Sequence, residues 1–241
     1  MTRMGALAAI TLLWLASSAI AEAASLRVSP VLVDLPTSSA AATLSLRNDG
    51  LKPLNVQARV YRWVQSNGSE RLEPTDEVVA SPPIASLRPR ADYVLRLVRV
   101  SKTPIAGEAS YRVLVDELPD PAARRPGAIT LLVRQSIPVF FSDTTAAAPV
   151  VSWSAALRGR SLVLTARNAG DRRLRISALT VSSNGQLLAR NDGLLGYVLG
   201  GSTMRWTLPL RRAGSYRGPI EIVANTDAGP VRAKAALGAG N

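Results

Sequence analysis

The chain of 241 residues has no cysteine and no histidine. Together these absences exclude a thiolate nucleophile, an imidazole base, a Ser-His-Asp arrangement and any Cys/His metal site. Acid–base work or metal binding would fall to carboxylates alone. The adjacent Asp116–Glu117 reads as the end of a strand before Pro119, and neighbouring strand residues point to opposite faces. No catalytic residue, cofactor or metal is therefore expected. Aromatics are scarce at 5%, so a core has to be built from Val, Leu, Ile and Ala. With 47% hydrophobic and 19% charged residues there is enough apolar material for one, and too much for disorder. Acidic residues are outnumbered, for a net charge of +12. The arginines are scattered among strand-like segments and are not interleaved with aromatics. The Arg-Arg pairs at 124–125, 172–173 and 211–212 stand in turn-like contexts and read as solvated. Nucleic acid is not an expected partner.

No second apolar run of membrane-spanning length follows the N-terminus, so a membrane-embedded protein is not expected. Arg3 followed by "GALAAITLLWLASSAIA" has the layout of an export signal, and Ala19-Ile20-Ala21 and Ala21-Glu22-Ala23 both fit its cleavage pattern. Residues 1–24 are read as a signal peptide, with the mature chain starting between Glu22 and Ser25. Without cysteine, lipid attachment at the cleavage site is excluded, and an exported core must hold without disulfides.

What is there is short strands. "ATLSLRNDG" (42–50), "LNVQARVYRWV" (54–64) and "DYVLRLVRV" (92–100) alternate apolar and polar residues. "SNGS" (66–69) is a hairpin turn signal. "VVASPPIASLRP" (78–89) is broken by prolines. After "SDTTAAAPV" the alternation resumes in "SLVLTARNAG" (161–170), "RLRISALTV" (173–181), "GQLLAR" (185–190), "TMRWTLPL" (203–210), "PIEIVANT" (219–226) and "VRAKAAL" (231–237). No segment sustains a helical period. The expectation is an all-β chain of two immunoglobulin-like sandwiches, 25–142 and 151–241, joined by a linker at 143–150. An internal echo supports a repeated topology: "LSLRNDG" (44–50) and "LTARNAG" (164–170) share Leu-x-x-Arg-Asn-x-Gly. Trp153, Tyr197 and Trp206 are expected in the second core.

One segment is anomalous. "ITLLVRQSIPVFF" (129–141) is long, very apolar and carries Pro138, which a central strand cannot spare an N–H for. It belongs at a sheet edge, where exposed apolar strands are a liability. One face holds Ile129, Leu131, Val133, Gln135, Ile137, Val139 and Phe141. The charged loop "DPAARRPGA" (120–128) leads into it.

At this point the first half resembles the periplasmic chaperones of chaperone–usher pilus assembly, the PapD-like family. Four segments carry the resemblance in order: "SLRVSPVLVDL" (25–35), "SPPIASLRPRADYVLRL" (81–97), "EASYRVLVDELP" (108–119) and the anomalous strand itself. The "SPVLVDL" and "RQSIPVFF" segments look more like the archaic, spore-coat-protein-U-associated branch. The resemblance implies two immunoglobulin-like domains in an L or boomerang arrangement. It implies binding of pilin or fimbrial subunits by donor-strand complementation, which fills a subunit's open groove, and delivery to an outer-membrane usher. On it Ile129, Leu131, Val133 and Gln135 form the donor face, and Ile137 onward pack into the chain's own core. Pro82, Pro83, Arg96, Glu108, Glu117 and Pro119 take the family's structural positions. The basic residues that clamp a subunit's terminal carboxylate in the best-known members fall at Pro30 and Pro138 here, so Arg27 and Arg134 are the nearest candidates for that charge. The interdomain ion pair of the family is expected to be lost, because the partner position of Glu108 is Ser142. A secreted adhesin or pilin-like subunit is the alternative. It should carry an alternating apolar extension before its first strand, whereas this chain enters that strand at once.

Overall fold

The computed structural model describes residues 25–120, 131–212, 216, 218–235 and 237–238. The expected signal peptide, Ile129 and all but Asp120 of the loop 120–128 lie outside the described residues. Every regular element among the described residues is a strand, as the missing helical period implies.

In the first half, β1 (Leu26–Ser29), β3 (Ala41–Asn48), β8 (Asp92–Arg99) and β6 (Val78–Ser81) form one sheet in that order. β2 (Val33–Pro36), β10 (Arg134–Ser142), β9 (Glu108–Glu117), β4 (Leu54–Ser66) and β5 (Ser69–Pro74) form the other, with β7 (Ile84–Leu87) also on β4. In the second half the sheets run β15-β12-β11-β18 and β14-β13-β16-β17. The strands there are β11 (Val151–Arg158), β12 (Ser161–Asn168), β13 (Leu174–Ser183), β14 (Gln186–Val198), β15 (Thr203–Pro209), β16 (Ile220–Thr226), β17 (Gly229–Ala235) and β18 (Leu237–Gly238). Among the described residues a single bridge, Gly68 to Met204, is the only strand pairing between the halves. The chain is two sandwiches, each with its own core.

Period-two alternation builds both cores. Leu44 and Leu46 of β3, Leu95 and Leu97 of β8, and Val113 and Val115 of β9 meet between the first pair of sheets. Leu162 and Leu164, Ile176 and Val181, and Ile220 and Ile222 do the same in the second. Trp153 and Trp206 pack against that second core. The Asn67–Gly68 turn has positive φ at both residues (55° and 82°), which closes the β4–β5 hairpin as the sequence signal requires.

Prolines mark where the chain changes sheets. β1 pairs with β3 in one sheet, and after Pro30 the chain resumes as β2 beside β10 in the other. β6 pairs with β8, and after Pro82–Pro83 the chain resumes as β7 on β4. A proline cannot donate to either ladder, so it suits a residue that belongs to neither. The carbonyl of Pro83 accepts the Ala58 N–H at 2.8 Å.

The seven-residue echo is a structural repeat. Asn48 and Asn168 are both buried at the end of a strand. The Asn48 side-chain nitrogen donates to the carbonyls of Lys52 (2.7 Å) and Leu87 (3.2 Å), and its oxygen accepts the Gly50 N–H at 2.9 Å. Asn168 donates to Arg172 (2.7 Å) and Val198 (3.3 Å) and accepts the Gly170 N–H at 3.0 Å. The glycine permits close approach of the chain entering each sandwich. A Cβ on Gly50 would lie 2.9 Å from Ser25, and one on Gly170 would lie 2.1 Å from the Ala148 carbonyl oxygen.

Removing Asn48 strands one amide and two carbonyls in a buried corner, and removing Asn168 strands two carbonyls and two amides, since its oxygen also accepts the Val150 N–H at 3.1 Å. Asn48→Ala and Asn168→Ala are each expected to lower stability by about 2–3 kcal/mol, read from urea unfolding.

Candidate functional site

The strand that looked anomalous in sequence has one complete neighbour and one partial one. β9 pairs with all of Arg134–Ser142, while β2 covers only Val139–Ser142. Among the described residues the other side of Arg134–Pro138 is an unpaired edge. Ladder alternation fixes which groups it presents. The Glu117 N–H donates to the Val133 carbonyl at 2.9 Å, so odd-numbered residues of the strand bond to β9 and even-numbered ones aim outward. Pro138 is even-numbered. Its missing N–H is therefore on the edge side and removes nothing from the β9 ladder.

The side chains divide as the alternation requires. Ile137, Val139 and Phe141 are in the first core, with Phe141 edge-on to Tyr111 at 6.0 Å. Beyond them the same face emerges from the core. Gln135 and Val133 are half-buried, and Leu131 is 85% exposed. Leu132, on the opposite face, is also exposed. Two acidic residues brace the outer end of the strand. Glu117 Oε2 accepts the Val133 N–H at 3.3 Å. Asp116 accepts from Arg59 at 2.6 Å and from Arg134. Burial pushes the Asp116 carboxyl up, but the hydrogen bonds from Arg134 and Arg59 outweigh it and hold the group below the usual carboxylate range.

The opposite face of β10 looks toward the second sandwich. Phe140 packs with Trp63 (centroids 5.9 Å apart) and Tyr197 (5.9 Å), and Trp63 meets Tyr197 edge-on at 5.3 Å. Leu199 and Leu32 complete this small cluster. Tyr197 is thus in the seam between the sandwiches and not in the second core, a correction to the sequence reading. Its strand belongs to the second half, but its ring falls on the face of β14 that meets Trp63 and Phe140. Gln65 ties the same seam. Its amide nitrogen donates to the Tyr197 carbonyl and its oxygen accepts the Leu199 N–H, both at 2.9 Å.

The expected loss of the interdomain ion pair is also corrected. Glu108 keeps a cation, supplied by Arg173 of the second half. Arg173 also donates to Asp34 at 2.5 Å, and its guanidinium carbon lies 3.7 Å from the Phe140 ring centre. The Arg173 backbone N–H and the Ser142 hydroxyl donate to Glu108 at 3.0 and 2.8 Å. The side chains of Glu108 and Arg173 are only 1% and 6% exposed. No local pattern distinguishes the 172–173 pair from the other Arg-Arg turns, so the sequence alone makes it look solvated. Its buried member is selected by a carboxylate 65 residues away.

Beside this lock is a cleft of about 780 Å³, walled by Val31, Leu32 and Asp34, by Ser136 and Pro138 of the edge strand, and by Arg172, Arg175 and Leu194 of the second half. Arg112 of β9 lines it, directly across the ladder from Pro138. Its guanidinium carbon stacks 3.9 Å from the Trp63 ring centre and it donates to Ser136 Oγ at 3.4 Å. It makes no ion pair with a described carboxylate. Burial pulls its pKa down, partly offset by Glu70 and Tyr197. Arg27 and Arg134 are elsewhere. Neither lines the cleft, and each is bonded to an acid, Asp49 at 2.7 Å and Asp116 respectively. Arg96 is exposed on the outer face of β8, across from Thr43 and Ser81. Pro119 follows the end of β9, where the Leu118 N–H donates to the Asn55 carbonyl at 2.8 Å. Sequence reasoning missed Arg112 and Arg173. For Arg112 a signal existed, since it is the one cation in the strand Glu108–Glu117.

Residues 25–145 match the family model described as pili and flagellar-assembly chaperone, PapD N-terminal domain. Among solved structures, a chain of the CsuC–CsuE chaperone–tip adhesion subunit pre-assembly complex, from archaic chaperone-usher Csu pili of Acinetobacter baumannii, is 25% identical. The match covers 88% of this chain and 98% of that one, with a TM-score of 0.66. The Salmonella enterica SafA pilin–SafB chaperone complex has a chain 22% identical, over 87% and 95% of the two chains, with a TM-score of 0.59. The E. coli chaperone DraB is 22% identical over 88% and 98%, with a TM-score of 0.56. No curated protein sequence matches.

Two tests follow from the geometry. Arg173→Ala leaves Glu108 buried without its cation and is expected to cost about 3–5 kcal/mol of stability, part of which Glu108→Gln restores in the double variant. Asp116, whose folded pKa is depressed, contributes stability that is present above its unfolded value of about 3.9 and is lost as pH falls through the lower folded value. The difference in unfolding free energy between wild type and Asp116→Asn should therefore be present at neutral pH and close on acidification through that window.

Proposed function

The chain belongs to the PapD-type family of pilus-assembly chaperones, and we propose that it captures pilin-type subunits of an archaic chaperone–usher system by lending them the free edge of β10. The observation that carries this reading is the half-paired strand. Its inner residues fill the chain's own core, and the same face runs on, exposed, past the end of β2. Main-chain groups of Arg134, Ser136 and Pro138 face outward for a partner strand. Val133 and Leu131, with Ile129 beyond them outside the described residues, continue the alternation into the subunit's groove, and Gln135 is at the margin. Each large aliphatic side chain that becomes buried contributes about 1.5–3 kcal/mol before ordering costs. That supports a stable complex without any catalytic group. The chain acts as a non-enzymatic chaperone, completing a subunit's core and blocking premature polymerisation. The structural likeness to chaperones supports this reading over that of an adhesin or pilin-like subunit.

Arg112 is the residue we assign to the subunit's terminal carboxylate. The two positions that hold the clamp in the best-known members are prolines here, and Arg112 is the cross-strand neighbour of one of them. It is half-buried, held flat by Trp63, and unpaired by any described carboxylate. A partly desolvated guanidinium facing a cleft is suited to a planar carboxylate. This replaces Arg27 and Arg134 in that role, since the charge of each is already committed.

Family members work in the periplasm. The N-terminal signal pattern supports export of this chain there, and delivery to an outer-membrane usher follows from the family reading.

Co-expression with a candidate subunit from the same gene neighbourhood tests the assignment. Leu131→Asp/Val133→Asp and, separately, Arg112→Ala should keep the wild-type unfolding transition and lose most of the co-purified subunit. Undiminished capture by the folded Leu131/Val133 variant would sink the donor-edge assignment, and by the folded Arg112 variant the anchor.

A further inference from the structure

The cleft is larger and more cationic than one terminal carboxylate requires. Four arginines line it, Arg112, Arg172, Arg173 and Arg175, against two aspartates, Asp34 and Asp227. Arg173 is consumed by Glu108 and Asp34. Asp227 accepts the backbone N–H of Arg175 at 3.1 Å. Arg172 and Arg175 make no ion pair with a described residue.

Their backbones are fixed even so. The Arg172 N–H donates to the Ala147 carbonyl at 3.1 Å, and its own carbonyl accepts from Asn168 at 2.7 Å. Arg175 is in β13, in register with Tyr197 of the seam. These two arginines thus stand on hydrogen-bonded backbone of the second sandwich, and Arg112 lines the same cleft from the first. A cleft with an excess of one sign concentrates ligands of the other and discriminates among them.

We infer that Arg172 and Arg175 recognise an acidic side chain within the last two residues of the bound subunit, a second anionic contact in addition to the terminal carboxylate at Arg112. This rests on the reading of the cleft as the seat of the subunit's C-terminus. The first sandwich holds the chain end whatever its sequence, and the second selects among chain ends by charge.

The test uses short fluorescein-labelled peptides of alternating valine and threonine and the mature chain, with binding followed by fluorescence anisotropy. One peptide ends in Asp-Asp and one in Asn-Asn, both with free carboxylates, and a third is the Asn-Asn peptide amidated at its C-terminus. At low salt the Asp-Asp peptide should bind wild type about tenfold tighter than Asn-Asn, equivalent to about 1.4 kcal/mol. The margin should shrink as salt rises. It should vanish in Arg172→Ser/Arg175→Ser and persist in Arg172→Lys/Arg175→Lys. Equal binding of the two free-carboxylate peptides, with amidation still weakening binding, overturns this inference and leaves the Arg112 anchor standing. If amidation has no effect, or no peptide binds, the terminus reading fails and takes this inference with it.

Discussion

The side chain of Glu108 is 1% exposed, and burying a carboxylate that deeply is costly unless a cation and hydrogen bonds surround it. The rest of the arrangement depends on this requirement. The cation comes from the other sandwich, so satisfying the buried charge brings the two halves together. Arg173 then reaches Asp34 on β2 and covers the Phe140 ring, so the lock touches both strands that frame the open edge. The aromatic cluster and Gln65 close the seam beside it. With the seam closed, Arg112 and the Arg172–Arg175 wall face one cleft.

The second constraint is that a useful sheet edge has to stay unpaired. Pro30 moves the first strand from one sheet to the other, which leaves β2 too short to cover all of β10. Pro138 stands where its missing N–H faces that side, so the β9 ladder is intact. Glu117 and the Arg59–Asp116–Arg134 cluster hold the strand extended past its last core residue. The edge is held by its neighbour on one side and, among the described residues, is unpaired on the other, the arrangement that the proposed strand donation needs.

Much of this was legible from residue order. Leu44 and Leu46, Ile137, Val139 and Phe141 revealed their faces through period-two alternation, because a strand's neighbours are set by its own pleat. The Asn-x-Gly corners revealed a repeat because the hydrogen bonds each Asn accepts from its Gly N–H and donates to the carbonyl four residues on are local. Pro138 revealed an edge because the missing donor belongs to the residue itself, whereas the sheet changes at Pro30 and at Pro82–Pro83 appear only in the pairing of the strands around them. Ser69–Pro74 and Val151–Arg158 were less visible as strands, being polar or weakly alternating segments that take their form from β4 and β12.

The sequence by itself determined the all-β class, the strand alternation, the repeated corner and the family, each being a property of residues near one another or of motifs in a set order. Only the tertiary structure decided which charges act. Arg27 and Arg134 lie near the expected place in sequence but are neutralised by Asp49 and Asp116. Arg173 looked like one more solvated turn arginine and is the buried partner of Glu108, 65 residues away, and Asp34, 139 residues away. Tyr197 found its place across the seam in the same manner, against Trp63 and Phe140. Backbone geometry makes a strand's faces periodic along the chain, whereas a guanidinium at the end of a long side chain takes whichever carboxylate the packing of two sandwiches brings to it.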